Sequence, residues 1–325
     1  MLEFQEEART SLHLMTTPVP RTNSRRQHTS APAEVVSVPW LVKAVGGTLL
    51  VALICAYITL CVLFYQGQWQ LVLHPSRSSS APSTIQGAPY ERVHFSPDES
   101  AVPQLTGWWI PAAPGARYPG ITVLYLRGGD GSLADSVPEL AELHTTGLNI
   151  FALDYRGYGQ SASTHPTEER MSADAAAAWQ YLTTSRKVSP SQIVLLGTGV
   201  GASLATGLVD LHPQSPALIL EAPQGDLLDL AAKDPRAGLL PMRLLFRERF
   251  PLASPLAALK TPKLLVTVGS STAPPVFVTA ADPKSTVEFN TPSAPLYTQT
   301  LTRFLDQYLP PTRVPTLVPE RNHLK

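Results

Sequence analysis

Between Ala44 and Tyr65 the chain runs for 22 residues without a charged side chain. A helix of that length, rising 1.5 Å per residue, crosses the roughly 30 Å hydrocarbon core of a bilayer. Trp40, Tyr65 and Trp69 flank the run as interfacial aromatics do. The run is too long for the apolar core of a signal peptide, no small-x-small cleavage site follows it, and neither Cys55 nor Cys61 fits a lipoprotein cleavage pattern. These features predict one retained membrane helix over residues 38–66. Arg21, Arg25, Arg26 and Lys43 precede the run and Arg77 alone follows it closely. That bias predicts a cytoplasmic N-terminus and a main domain on the outer side, periplasmic or extracellular.

Residues 1–37 are rich in Ser, Thr, Pro and Arg without hydrophobic periodicity, which predicts a disordered tail. Residues 310–325 carry four prolines and read as a second loose tail. The stretch from 70 to 309 has the material for a sizeable core, since 44% of the chain is hydrophobic and only 15% charged. A formal net charge of zero excludes the basic footprint of a nucleic-acid binder. Both cysteines lie in the apolar run and the eight histidines are scattered without ligand spacing, so neither metal nor cofactor is expected.

Strand-like runs alternate with helical patterns from residue 70 onward. Candidate strands are Glu91–Phe95, Leu105–Ile110, Ile121–Leu126, Asn149–Asp154, Gln192–Leu196, Ala217–Leu220, Lys263–Val268 and Ser285–Phe289. Candidate helices are Leu133–His144, Ser172–Ser185, Ala202–Leu211 and Tyr297–Tyr308. The runs Ile121–Leu126, Ile193–Leu196 and Leu264–Val268 are apolar almost throughout, as strands covered on both faces must be. The alternation predicts a mostly parallel, doubly wound α/β sheet of about eight strands.

Four local motifs occur in order: Leu71-Val72-Leu73-His74-Pro75 after the membrane run, Arg127-Gly128-Gly129-Asp130-Gly131 closing the third strand, Asp154-Tyr155-Arg156-Gly157-Tyr158-Gly159-Gln160-Ser161 closing the fourth, and Gly197-Thr198-Gly199-Val200-Gly201 closing the fifth. In this order they resemble the α/β-hydrolase superfamily, in its single-pass, membrane-anchored branch related to serine aminopeptidase-like and abhydrolase-domain proteins, from about Leu71 to Leu309. The resemblance implies an α/β-hydrolase fold. The stretch from Gln224 to Leu259, where such proteins insert lids, is too short for a large cap domain.

The resemblance also locates the chemistry, and each position is altered. The nucleophile of this superfamily sits at the centre of Gly-x-Ser-x-Gly on a strained strand-to-helix turn; here that residue is Gly199, which has no side chain. Thr198 and Ser203 are adjacent hydroxyls, one before the turn and one in the following helix. The acid position after the seventh strand is Thr272, and the histidine position before the last helix falls at Ser293 or a neighbour. No histidine lies between His212 and His323. A remnant oxyanion or anion pocket would comprise the backbone N–H groups of Gly128 and Val200 with the charge of Arg127. The alternative for Arg127 is a pairing with Asp130 or Asp154.

The expectation is therefore a membrane-anchored, catalytically inactive binding or assembly module, whose partner is a protein or a small anionic ligand. A working hydrolase of ester, thioester or peptide bonds with an unrecognised nucleophile is the alternative. Residues 197–202 also fit Gly-x-Gly-x-x-Ala, with Glu221 ending the next strand, which leaves dinucleotide binding as a minor alternative.

Overall fold

The computed structural model describes residues 37–78, 81–97, 102–233, 238–268, 275–289 and 294–309. The two tails apart from Ser37, together with Thr272 and Ser293, lie outside these residues. The chain divides into two compact units, residues 1–55 and 56–325. The described part of the first is helical from Val38; in the second, helix persists to Gly67, so the apolar run forms α1 (Val38–Gly67) with no buried residue. Among the described residues this one helix is long and apolar enough to cross a membrane.

The second unit is a wound sheet. In chain order its strands are β1 (His74–Pro75), β2 (Glu91–Phe95), β3 (Leu105–Ile110), β4 (Tyr118–Leu126), β5 (Asp130–Gly131), β6 (Leu148–Asp154), β7 (Ile193–Thr198), β8 (Leu218–Glu221), β9 (Lys263–Val268) and β10 (Lys284–Phe289). Eight of them form one sheet in the order β10-β9-β8-β7-β4-β6-β3-β2, while β1 pairs with β5 apart from it. The ladders from β10 to β6 are parallel; only β2–β3 and β3–β6 are antiparallel. Every candidate strand is present, with ends displaced by no more than three residues.

The helices are α2 (Val137–His144), α3 (Glu168–Gln180), α4 (Gly201–Leu211), the short α5 (Leu227–Ala231), α6 (Met242–Leu245), α7 (Ala253–Ala258) and α8 (Pro275–Val278), and α9 (Ala294–Tyr308). Period-2 alternation sorts the strands between two cores. Leu124, Leu126, Phe151 and Leu153 join α3 and α4 on one face; Val123, Tyr125, Ile150 and Ala152 join α2 and α9 on the other. The expected doubly wound, mostly parallel architecture is the one observed.

Two helix starts differ from the sequence expectation by four residues, more than the others. Before α2, Asp135 accepts from the N–H and hydroxyl of Ser132 at 2.7 and 2.8 Å, holding Ser132–Ser136 as a turn. Pro138 then fits the first turn, where no donor is needed. Helix α3 begins four residues earlier than Ser172 because Thr167 accepts the N–H of Arg170 at 3.2 Å as N-cap, and Glu168 and Glu169 suit the positive end of the helix.

Candidate functional site

The turn from β7 into α4 has its apex at Gly199, at φ +53°. Its N–H donates to the Glu221 carbonyl at 3.1 Å, and its carbonyl accepts from Ala202 at 3.2 Å and Gln224 at 2.9 Å. The flanking glycines are required by contact. A Cβ on Gly197 would lie 2.4 Å from the Gly201 carbonyl oxygen, and one on Gly201 would lie 2.1 Å from the Leu126 carbonyl oxygen. On Gly199 it would meet nothing closer than the Gly128 Cα at 3.4 Å. The elbow geometry of Gly-x-Ser-x-Gly is thus retained around an apex that lacks a side chain.

The loop Arg127–Gly131 faces this apex, held there by the motif that ends β6. Tyr155 Oη donates to the Arg127 carbonyl at 3.3 Å, and Tyr158 Oη to the Gly129 carbonyl at 2.9 Å. Asp154 accepts the Leu133 N–H at 2.8 Å, and Ser161 Oγ ties the Asp154 carbonyl to the Thr106 N–H at 2.6 and 2.9 Å. Arg156 pairs with the fully buried Asp174 of α3 at 2.6 Å. Gly157 and Gly159 take φ of +95° and +44°, and a Cβ on either would strike the Thr164 carbonyl or the Asp154 carboxylate. Asp154, Tyr155, Tyr158 and Ser161 thus each hold backbone in place.

A cavity of about 460 Å³ opens over the elbow. Gly128, Thr198, Gly199 and Gln224 form its elbow side, and Tyr125, Glu221, Val266, Phe289 and Tyr297 are among its other walls. Tyr297 donates its hydroxyl to the Glu221 carboxylate. Burial pushes the Glu221 carboxyl up to about 7 against the opposing effect of that hydrogen bond, and the charges of Glu142 and Glu139 push the same way. Glu142 is itself raised by burial and by Glu139. Tyr125 is pushed up to about 12 by burial and then by Glu221. Among the described residues, Asp130, Asp135, Glu139, Glu142 and Glu221 line the cavity with one cation, Arg127.

Arg127, Gly128 and Gly199 come together at the cavity, whereas Val200 is buried at 1% exposure in the core below the turn. Arg127 is 2% exposed, with its guanidinium 4.9 Å from the Tyr158 ring centroid. It donates to the backbone carbonyl of Asp130, and its Nε and Nη1 have no hydrogen-bond partner among the described residues. The expected pairing of Arg127 with the Asp130 or Asp154 carboxylate is not made: the Asp130 carboxylate binds His74 Nδ1 at 2.7 Å, and Asp154, raised by burial, feels Arg127 only as a charge opposing that shift. Thr198 lines the cavity; Ser203 instead donates to the Pro251 carbonyl at 2.7 Å. Among the described residues no histidine lines the cavity and no group of side chains could hold a metal ion. Sequence reasoning missed Glu139, Glu142 and Tyr297. The i, i+3 spacing of the two glutamates after a Gly-rich loop was the available signal.

A family model described as serine aminopeptidase, S33, matches residues 123–317. The Mycobacterium tuberculosis protein Rv2307c is 29% identical over 241 residues, which are 72% of this chain and 83% of that protein. The Arabidopsis thaliana alpha/beta hydrolase domain-containing protein WAV2 is 29% identical over 184 residues, 55% of this chain and 58% of its own length. Among solved structures, the Pyrococcus furiosus esterase Pf2001 superposes with a TM-score of 0.56 at 18% identity, over 74% of this chain and 99% of the esterase. At that identity the likeness is one of fold.

Proposed function

The chain belongs to the serine aminopeptidase S33 family of α/β-hydrolases, and on that premise we propose that it is a catalytically inactive member, anchored in a membrane by α1, whose cavity binds a ligand or partner without cleaving it. The observation that carries this reading is Gly199 at the apex of an otherwise intact elbow. Covalent catalysis in this fold needs a nucleophile at that point, and loss of one triad member alone costs several orders of magnitude in rate. Thr272 and Ser293, at the acid and histidine positions, add to it from the sequence alone.

Anchoring rests on the length of α1 and on its having no buried residue, and the flanking arginines support a cytoplasmic N-terminus. The anion site expected at Arg127, Gly128 and Val200 is disfavoured by charge: five carboxyl-bearing residues line the cavity with one arginine. The reading is tested on the full-length protein in detergent with a fluorophosphonate probe and short p-nitrophenyl esters. No labelling and no turnover are expected; a labelled peptide would identify a nucleophile and overturn it.

A further inference from the structure

Where α1 ends, a second element is fastened to it. Gln68, buried at 3% exposure, follows the last helical residue and binds the backbone of a distant segment. Its Nε2 donates to the Leu245 carbonyl at 2.9 Å, and its Oε1 accepts the Arg247 N–H at 2.6 Å. The Arg247 guanidinium lies 4.7 Å from the centroid of the Tyr65 ring. Residues 242–247 are therefore held within a side chain's length of the point where the apolar run stops.

This segment leaves its apolar side chains uncovered. Leu244 is 79% exposed and Leu239 72%, and Leu71 beside the helix end is 66% exposed. Gly238, Leu240, Pro241 and Met242 border the same shallow apolar surface. The cations Arg243, Arg247 and Arg249 are exposed. Two neighbouring carboxylates turn inward: Glu168 accepts the N–H groups of Arg249 and Phe250 at 2.7 and 2.8 Å, and the buried Glu248 accepts that of Glu168 at 2.6 Å. Outward on residues 238–249 are Leu239, Leu244 and three arginines, and the exposed Asp229 on the adjoining α5 offsets one of those charges.

We propose that residues 238–249 form a second, interfacial contact with the membrane that α1 crosses, Leu239 and Leu244 entering the headgroup–acyl boundary and the arginines facing anionic lipid phosphates. The inference rests on the anchoring reading above. Of the occupants an exposed leucine patch could have, a bilayer is favoured because the tether to Gln68 and Tyr65 fixes the patch beside one, and because its charge suits anionic lipid. The contact adds a second attachment point, so the domain is tilted and held against the surface.

The test uses full-length protein carrying Cys55→Ser and Cys61→Ser, reconstituted into phosphatidylcholine vesicles with and without phosphatidylglycerol. A fluorophore is attached at Leu244→Cys, at Leu211→Cys as an exposed site elsewhere (72% exposed), or at Leu60→Cys within α1. Headgroup-labelled quencher lipid should quench position 244 severalfold more than position 211. The effect should weaken without phosphatidylglycerol, and Arg243→Ala and Arg249→Ala should each lower the docking equilibrium constant about fivefold. Quenching at 60 with equal, weak quenching at 244 and 211 would overturn this contact and leave the anchor standing. No quenching at 60 would remove the anchor, and the contact with it.

Discussion

The Cα of Gly128 lies 3.4 Å from the position that a Cβ would take on Gly199, and the next atom in its way, Gln224 Oε1, is 4.0 Å off. The elbow therefore has space for a side chain and lacks one. Gly199→Ser is expected to fold, with a cost of about 1 kcal/mol for placing an L-residue at positive φ, read as a Tm lower by roughly 3 °C. It should remain unreactive toward fluorophosphonate, because no histidine among the described residues lines the cavity. Turnover by this variant would mean that a base is in place.

The flanking glycines should respond differently. Gly197→Ala drives a Cβ into the backbone of Gly201 and Ala202, at 2.4 and 2.6 Å. Backbone cannot yield as a side-chain tip can, so a loss above about 4 kcal/mol is expected, seen as failure to accumulate folded protein. Gly207→Ala, within α4, meets nothing within 4 Å and should stabilise by about 1 kcal/mol through helix propensity. Thermal melts of the two variants make the comparison.

Glu221 gives the cavity a pH dependence. Burial pushes its carboxyl up to about 7 in the fold against an ordinary 4.5. A carboxyl raised in this way favours folding most below about 4.5, and that contribution is lost as pH rises to about 7, a change of roughly 3 kcal/mol. Glu221→Gln can keep an acceptor for Tyr297 and removes the titration. Melting temperature should therefore fall more steeply between pH 5 and 8 for the wild type than for the variant; parallel curves would contradict the assignment.

Arg156→Met leaves Asp174 buried without its cation. Breaking such a pair costs about 3–5 kcal/mol, or roughly 10 °C in Tm at pH 8. Asp174 is already pushed up to about 6 by burial, so near pH 5 it is largely protonated in both proteins. The difference between variant and wild type should shrink there.

The strands were legible because their burial is periodic or complete: Leu124 and Tyr125 face opposite cores, and both are apolar enough to be read. The turn before α2 was not legible, because it depends on Asp135 folding back on Ser132, a competition that hydrophobic periodicity does not register. At the site, Gly199 could be read directly, since a missing side chain needs no structure to be noticed. The Glu221–Tyr297 pair could not, because 76 positions separate its members and only the winding of the sheet brings them together. The burial of Arg127 on Tyr158 was equally hidden, as a charged residue after a strand gives no sign of which way it turns.

The stretch Asp154–Ser161, which pointed most clearly to this superfamily, makes its hydrogen bonds to backbone and to a neighbouring helix. Its residues would therefore be under pressure to persist in any descendant that still folds, whether or not that descendant still reacts. The elbow apex carries no such obligation and can drift once turnover ceases to matter. A kinship recognised through Asp-Tyr-Arg-Gly-Tyr-Gly-x-Ser is thus a record of ancestry written in the scaffold, and whether a member is still an enzyme has to be read one residue at a time, at the apex.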